Sequence, residues 1–186
     1  MELGTQFLIE IIKRFRYYKI LGDKSFEQLS EAEMHYKPSG ESNNIAIIIQ
    51  HMHGNMMSRF TNFLAEDGEK EWRKRDAEFE PEHVIKTDLQ NLWNTGWELV
   101  LNTIEALSPN NLLQEITIRS EKLFAFDAIL RQLAHYSYHV GQIVLIAKMI
   151  RNEQWKTLSV PKNKSKEFEQ EMRRGNNQSG MGSGKV

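Results

Sequence analysis

Apolar residues recur with helical period along most of the chain. Phe7, Leu8, Ile11, Ile12, Phe15 and Tyr18 predict a first helix running from about Leu3 into the twenties. Lys37-Pro-Ser-Gly-Glu-Ser-Asn-Asn44 reads as a loop ending in a helix-capping signal, so a second helix should begin near Asn43. Its stripe of Ile45, Ile48, Ile49, Met52, Met56, Phe60 and Phe63 carries it to about Ala65. A polar stretch, Asp67 to Glu82, separates it from a third helix, whose stripe is Ile85, Leu89, Leu92, Trp93, Gly96, Val100, Ile104 and Leu107. Ser108-Pro109-Asn110 stops that helix. Leu112 to Lys122 reads as a connector with a short extended piece at Ile116 to Ile118. A fourth helix runs from about Phe124 to Ile150. Its second half is apolar almost all the way round, which marks it as the most buried helix.

Four long helices with little strand signal predict an all-α four-helix bundle over residues 1–160. Beyond Pro161 the pattern breaks down. Lys162 to Arg174 is charged and reads as a loose helix, and Gly175 to Val186 is rich in Gly, Asn and Ser, so residues 161–186 are expected to form a flexible tail.

Composition narrows the chemistry. The 186 residues are 40 % hydrophobic and 26 % charged, as in a globular domain with one core, and the formal charge is −1. No global field, basic stripe or arginine cluster free of acidic neighbours favours nucleic acid. The opening Met-Glu-Leu-Gly-Thr has no basic region leading into an apolar run, and no segment has the roughly 18 apolar residues a membrane span needs. The expectation is a soluble, cytoplasmic protein. Cysteine is absent, which excludes disulfides and thiolate ligands and leaves His, Asp and Glu to bind any metal.

The candidate chemistry lies in Leu133-Ala-His-Tyr-Ser-Tyr-His-Val-Gly-Gln-Ile143. His135 and His139 are four residues apart, one turn apart on one helix face, close enough to grip a single ion. A third imidazole is on offer from the second helix, as His51 or His53, which diverge by about 200° so that one site cannot use both. Periodicity alone does not choose between them, although His53 sits closer to the apolar stripe. His51 shares a row with Asn44, Asn55, Ser58 and Asn62, away from that stripe, and His135 and His139 lie near Arg131 and Gln142. Two such rows would face each other across a polar cleft between helices. His35 and His83 fall at loop or helix-end positions and are read as solvated, and the methionines as core filler. Trp93 and Trp97 fit either the core or a dimer surface. Asp67 to Glu80 has two readings. It is a solvated charged loop pinned to the bundle by Trp72, or a lid whose Arg73 and Arg75 contact an anion.

Ser42-Asn-Asn-Ile-Ala-Ile-Ile-Ile-Gln-His-Met-His-Gly-Asn55 and His135-Tyr-Ser-Tyr-His-Val-Gly-Gln-Ile143, with the order of helices around them, resemble the DinB-like superfamily of metal-binding four-helix bundles over nearly all of residues 1–155. In that family one histidine of the second helix and the spaced pair of the fourth hold a divalent metal. The residue ahead of the family's Gly-Asn step matches His51. The resemblance therefore implies His51, His135 and His139 as ligands of zinc or nickel, with Asn55 and Gln142 nearby. Three imidazoles and an open position suit catalysis better than a closed structural site. Relatives such as the YfiT-like S-transferases act on small thiols (bacillithiol, mycothiol or glutathione), so the resemblance implies a metal-dependent transferase or isomerase. Arg73 or Arg75 would then hold an anionic group. The other reading is a non-catalytic metal-binding protein of stress response or interaction. Pairing as a homodimer is expected on the same ground.

Overall fold

In the computed structural model, which describes residues 2–80 and 84–174, the apolar stripes fold into helices close to where the pattern places them. They are α1 (Leu3–Phe26), α2 (Glu31–Met34), α3 (Ile45–Phe60), α4 (Lys86–Glu105), α5 (Ala125–Arg151) and α6 (Ser165–Arg173). Between α4 and α5 lie β1 (Glu115–Ile118) and β2 (Glu121–Phe124), an antiparallel hairpin in which Ile116 pairs with Leu123. The setting expected for His83 and the tail expected over 175–186 lie outside the described residues.

Asn44 starts α3 as its composition demands. Its side-chain oxygen accepts the Ile47 N–H at 2.8 Å, satisfying one of the unpaired donors of the first turn. The helix ends at Phe60, short of Ala65, because Thr61 takes an extended backbone and Asn62 a positive φ of 50°. The one-turn α2 was not anticipated. Ser30 and Glu33 cap it reciprocally, with the Ser30 N–H donating to Glu33 at 2.7 Å.

Four helices form the bundle, with α1 and α3 at opposite corners and α4 and α5 each packing against both. Trp93 donates its indole N–H to Asp23 at 2.8 Å, and Arg16 pairs with Glu105 at 2.7 Å, so α1 and α4 run antiparallel. His53 meets the Leu92 carbonyl and Thr103 that of Phe60, so α3 and α4 run parallel. Parallel neighbours need a connection that travels back along the bundle. Of this connection, the described residues 61–80 lie along α3 on the way back.

Phe15, Trp97 and Tyr136 meet edge to face at 5.6–6.2 Å at the centre, and Trp93 closes on Phe26 at 5.0 Å. Both tryptophans of α4 are therefore core residues, not a dimer surface. Gly22 is the notch for Trp93, since a Cβ there would lie 2.2 Å from the indole ring.

The helix expected to be most buried is not. On α5 Tyr138, Leu145 and Met149 are 63 %, 59 % and 57 % exposed. On α3, by contrast, both the apolar stripe and the polar row are covered, with Asn44, His51, Asn55 and Ser58 at 6 % or less. The returning crossover lies on that polar row, which is why polarity there does not mean exposure.

Candidate metal centre

The three histidines implied by the resemblance meet where α3 faces α5. One ligand atom from each of His51, His135 and His139 lies within 4.8 Å of the others. The His51 and His135 Nε2 atoms are 3.3 Å apart, and those of His135 and His139 are 3.0 Å apart. Nitrogens held 2.0–2.1 Å from a tetrahedral zinc ion sit roughly 3.3 Å from one another, so this spacing suits one shared ion.

Hydrogen bonds on the far side of two rings fix which nitrogen faces inward. His51 Nδ1 donates to Glu78 Oε2 at 2.9 Å, and His139 Nδ1 donates to Gln142 Oε1 at 2.9 Å. A neutral imidazole with its proton on Nδ1 presents a lone pair at Nε2. A proton on His135 Nε2 can point at one neighbour only, whereas a divalent cation would engage all three lone pairs. Burial holds the His135 imidazole down at about 3, aided by repulsion from His139 and His51, and burial holds His139 at about 4 against its bond to Gln142. Both rings are thus neutral at pH 7, the form in which imidazole ligates metal.

Glu78 comes from the short turn Asp76–Phe79 of the crossover. Burial raises its carboxyl, but the bonds from His51 and Arg73 outweigh that and bring it below the ordinary range. Arg73 grips it with a fork, Nε to Oε1 at 2.8 Å and a terminal nitrogen to Oε2 at 2.9 Å. Arg73 is consequently not a clamp for a ligand's anion, because its side chain is 2 % exposed and spent on Glu78. Arg75 is half exposed, its guanidinium 5.1 Å from the Phe79 ring, and that ring is in turn 4.9 Å from the His51 ring.

The remaining candidates divide cleanly. Gln142 lies against His139. Asn55 accepts a hydrogen bond from the Tyr136 hydroxyl at 3.0 Å, and Tyr136 is fully buried behind the histidines. His53 points away from the cluster to the Leu92 carbonyl at 2.9 Å, and burial lowers its pKa. His35 is partly buried rather than solvated, its Nε2 2.9 Å from the Val84 carbonyl.

The crossover is anchored, but not by Trp72, which is 56 % exposed. Buried Ser58 and Arg59 of α3 both donate to the Gly68 carbonyl, and Arg59 also pairs with Glu69 at 3.1 Å. Asp67 accepts the backbone N–H groups of Glu69, Arg119 and Ser120, joining the crossover to the hairpin.

Sequence reasoning missed Glu78 and Phe79. Glu78 is 27 positions from His51, in a charged loop where one glutamate looks like another. The usable signal was Gly54. In mid-helix a glycine is costly, and here a Cβ would lie 2.1 Å from Glu78 Oε1.

No curated protein and no solved structure matches the chain. A family model described as "Protein of unknown function (DUF1572)" matches residues 2–164, a span that takes in the bundle and the whole histidine cluster. The chain belongs to that DUF1572 family.

Proposed function

We propose that this chain is a DinB-like divalent-metal protein and a metal-dependent enzyme of the S-transferase or isomerase type, acting on a small thiol. The observation that carries this reading is the convergence of three imidazoles with ligand atoms within 4.8 Å of one another, His135 Nε2 lying 3.3 Å from that of His51 and 3.0 Å from that of His139, with the Nδ1 protons of His51 and His139 already committed elsewhere. Zinc and nickel both suit three imidazoles. A divalent ion in such a site lowers the pKa of a bound water or thiol, which supplies a nucleophile at neutral pH. The protein's own part is to hold three imidazole rings facing one point and to leave an open position to the ligand. Arg75 is our choice for an anionic group on that ligand, because it is half exposed beside Phe79 while Arg73 is engaged.

The test uses cobalt as a spectroscopic stand-in, titrating the cobalt-loaded protein with glutathione or 2-mercaptoethanol. A thiolate-to-cobalt charge-transfer band is expected in wild type and not in His139→Ala. The chain has no cysteine, so any such band belongs to the added thiol. Cobalt binding without the band would turn the reading to the non-catalytic metal protein.

A further inference from the structure

Three imidazoles serve one ion only if each ring is turned the right way, and the two oriented rings are handled differently. His139 is oriented by Gln142, three residues on in the same helix, so its partner is present whenever α5 forms. His51 is oriented from outside α3, by a carboxylate that arrives on the crossover. The side chains involved are nearly sealed from water, with His51 8 %, Glu78 10 % and Arg73 2 % exposed. Each Glu78 oxygen takes one arm of the Arg73 fork, and Oε2 takes the His51 proton as well. Phe79 covers the His51 ring from the crossover side at 4.9 Å. Room for all of this exists because residue 54 has no side chain. A Cβ on Gly54 would stand 2.1 Å from Glu78 Oε1 and 2.7 Å from its carboxyl carbon.

The geometry points to Glu78 as the positioning residue of the centre. Its carboxylate, clamped by Arg73 and admitted by Gly54, holds His51 with the proton on Nδ1 and Nε2 turned toward His135 and His139. This rests on the three-histidine metal reading. An imidazole N–H given to a carboxylate fixes the tautomer and makes the opposite nitrogen a better donor to metal. Arg73 balances the charge of Glu78, so the orienting pair adds no net charge beside the ion. Because the pair rides on the crossover, metal binding and seating of that segment are linked. An ion that favours oriented His51 stabilises the seated crossover, and a loosened crossover weakens the ion by the same factor.

The experiment compares wild type with Glu78→Leu, Glu78→Gln and Gly54→Ala. Helix content by circular dichroism identifies variants that fold, and the Gly54 change keeps the test alive should Glu78→Leu not fold. In metal-free protein, long-range nitrogen–proton NMR of the imidazoles reports the His51 tautomer. We expect Nδ1–H in wild type and loss of that preference in Glu78→Leu and Gly54→Ala. Cobalt affinity should fall about 10- to 100-fold in those two variants and less in Glu78→Gln, whose amide oxygen can still accept. Cobalt should slow amide exchange across residues 73–79 in wild type and not in Glu78→Leu. An unchanged tautomer with cobalt affinity within twofold of wild type in Glu78→Leu or Gly54→Ala would overturn the assignment. If wild type bound no cobalt at all, the metal reading would fall, and the tautomer alone would then decide the role of Glu78.

Discussion

His51 and His53 are separated by one residue and by everything that matters for chemistry. On a helix that step turns the side chain through about 200°, so one ring enters the space between α3 and α5 while the other caps the Leu92 carbonyl of α4. The sequence contains the divergence, yet spacing cannot say which ring faces α5. The DinB-like resemblance supplied that choice, through the position of Gly54-Asn55. Removing His53 should therefore cost packing and one hydrogen bond, about 1 kcal/mol of stability, without touching bound metal. His53→Ala is expected to retain the metal content of wild type, whereas His51→Ala loses it. Equal loss in both would mean that the wrong imidazole has been placed in the centre. Arg73 shows the limit of residue-level reading. Its type suggested an anion clamp, and an anion clamp it is, but the anion is Glu78 of the same chain.

At the level of elements, α2 and α3 start on a side-chain cap, whereas α1, α4, α5 and α6 start without one. Asn44 announced α3 and Pro109 marked the end of α4's neighbourhood, whereas the one-turn α2, capped by Ser30 and Glu33, was missed because it is too short to carry an apolar stripe. The second strand of the hairpin stayed hidden for a specific reason. Two-residue hairpin turns usually show Asn-Gly or Asp-Gly, because both positions need positive φ. Here Arg119 and Ser120 occupy them at φ 55° and 63°, held by hydrogen bonds to Asp67 from a distant part of the chain. Burial pushes the Asp67 carboxyl up, but the backbone donors of Glu69, Ser120 and Arg119 prevail and hold it at about 2, below its usual 3.8. Between those values the unfolded chain binds a proton that the folded chain refuses, so this contribution is complete above about pH 4 and is lost as pH falls toward 2. Asp67→Asn should be less stable than wild type at pH 6, and the gap in urea midpoint should narrow steadily from pH 4 to pH 2. A gap independent of pH would show that the charge on Asp67 does not tie the crossover to the hairpin.

For the whole molecule, the decisive fact is that α3 and α4 run the same way. Four apolar stripes were enough to give the bundle, because each helix must bury one face. They did not give the order of helix directions, and so they could not show that residues 61–80 travel back along α3 and cover its polar row. That path buries His51, Asn55 and Ser58 and brings Glu78 to the centre, leaving the outer face of α5 comparatively bare. Among the described residues no helix is long and apolar enough to cross a membrane. The bundle thus acts as a frame, and the crossover is what turns a pair of helices with histidines into an oriented cluster. The most direct test is elemental analysis of untagged protein, wild type beside the His51→Ala/His135→Ala double variant, after exposure to zinc and nickel and removal of loosely held ions. The account predicts about one divalent ion per chain in wild type and none in the variant. No ion in wild type, or the same ion content in both proteins, would contradict it.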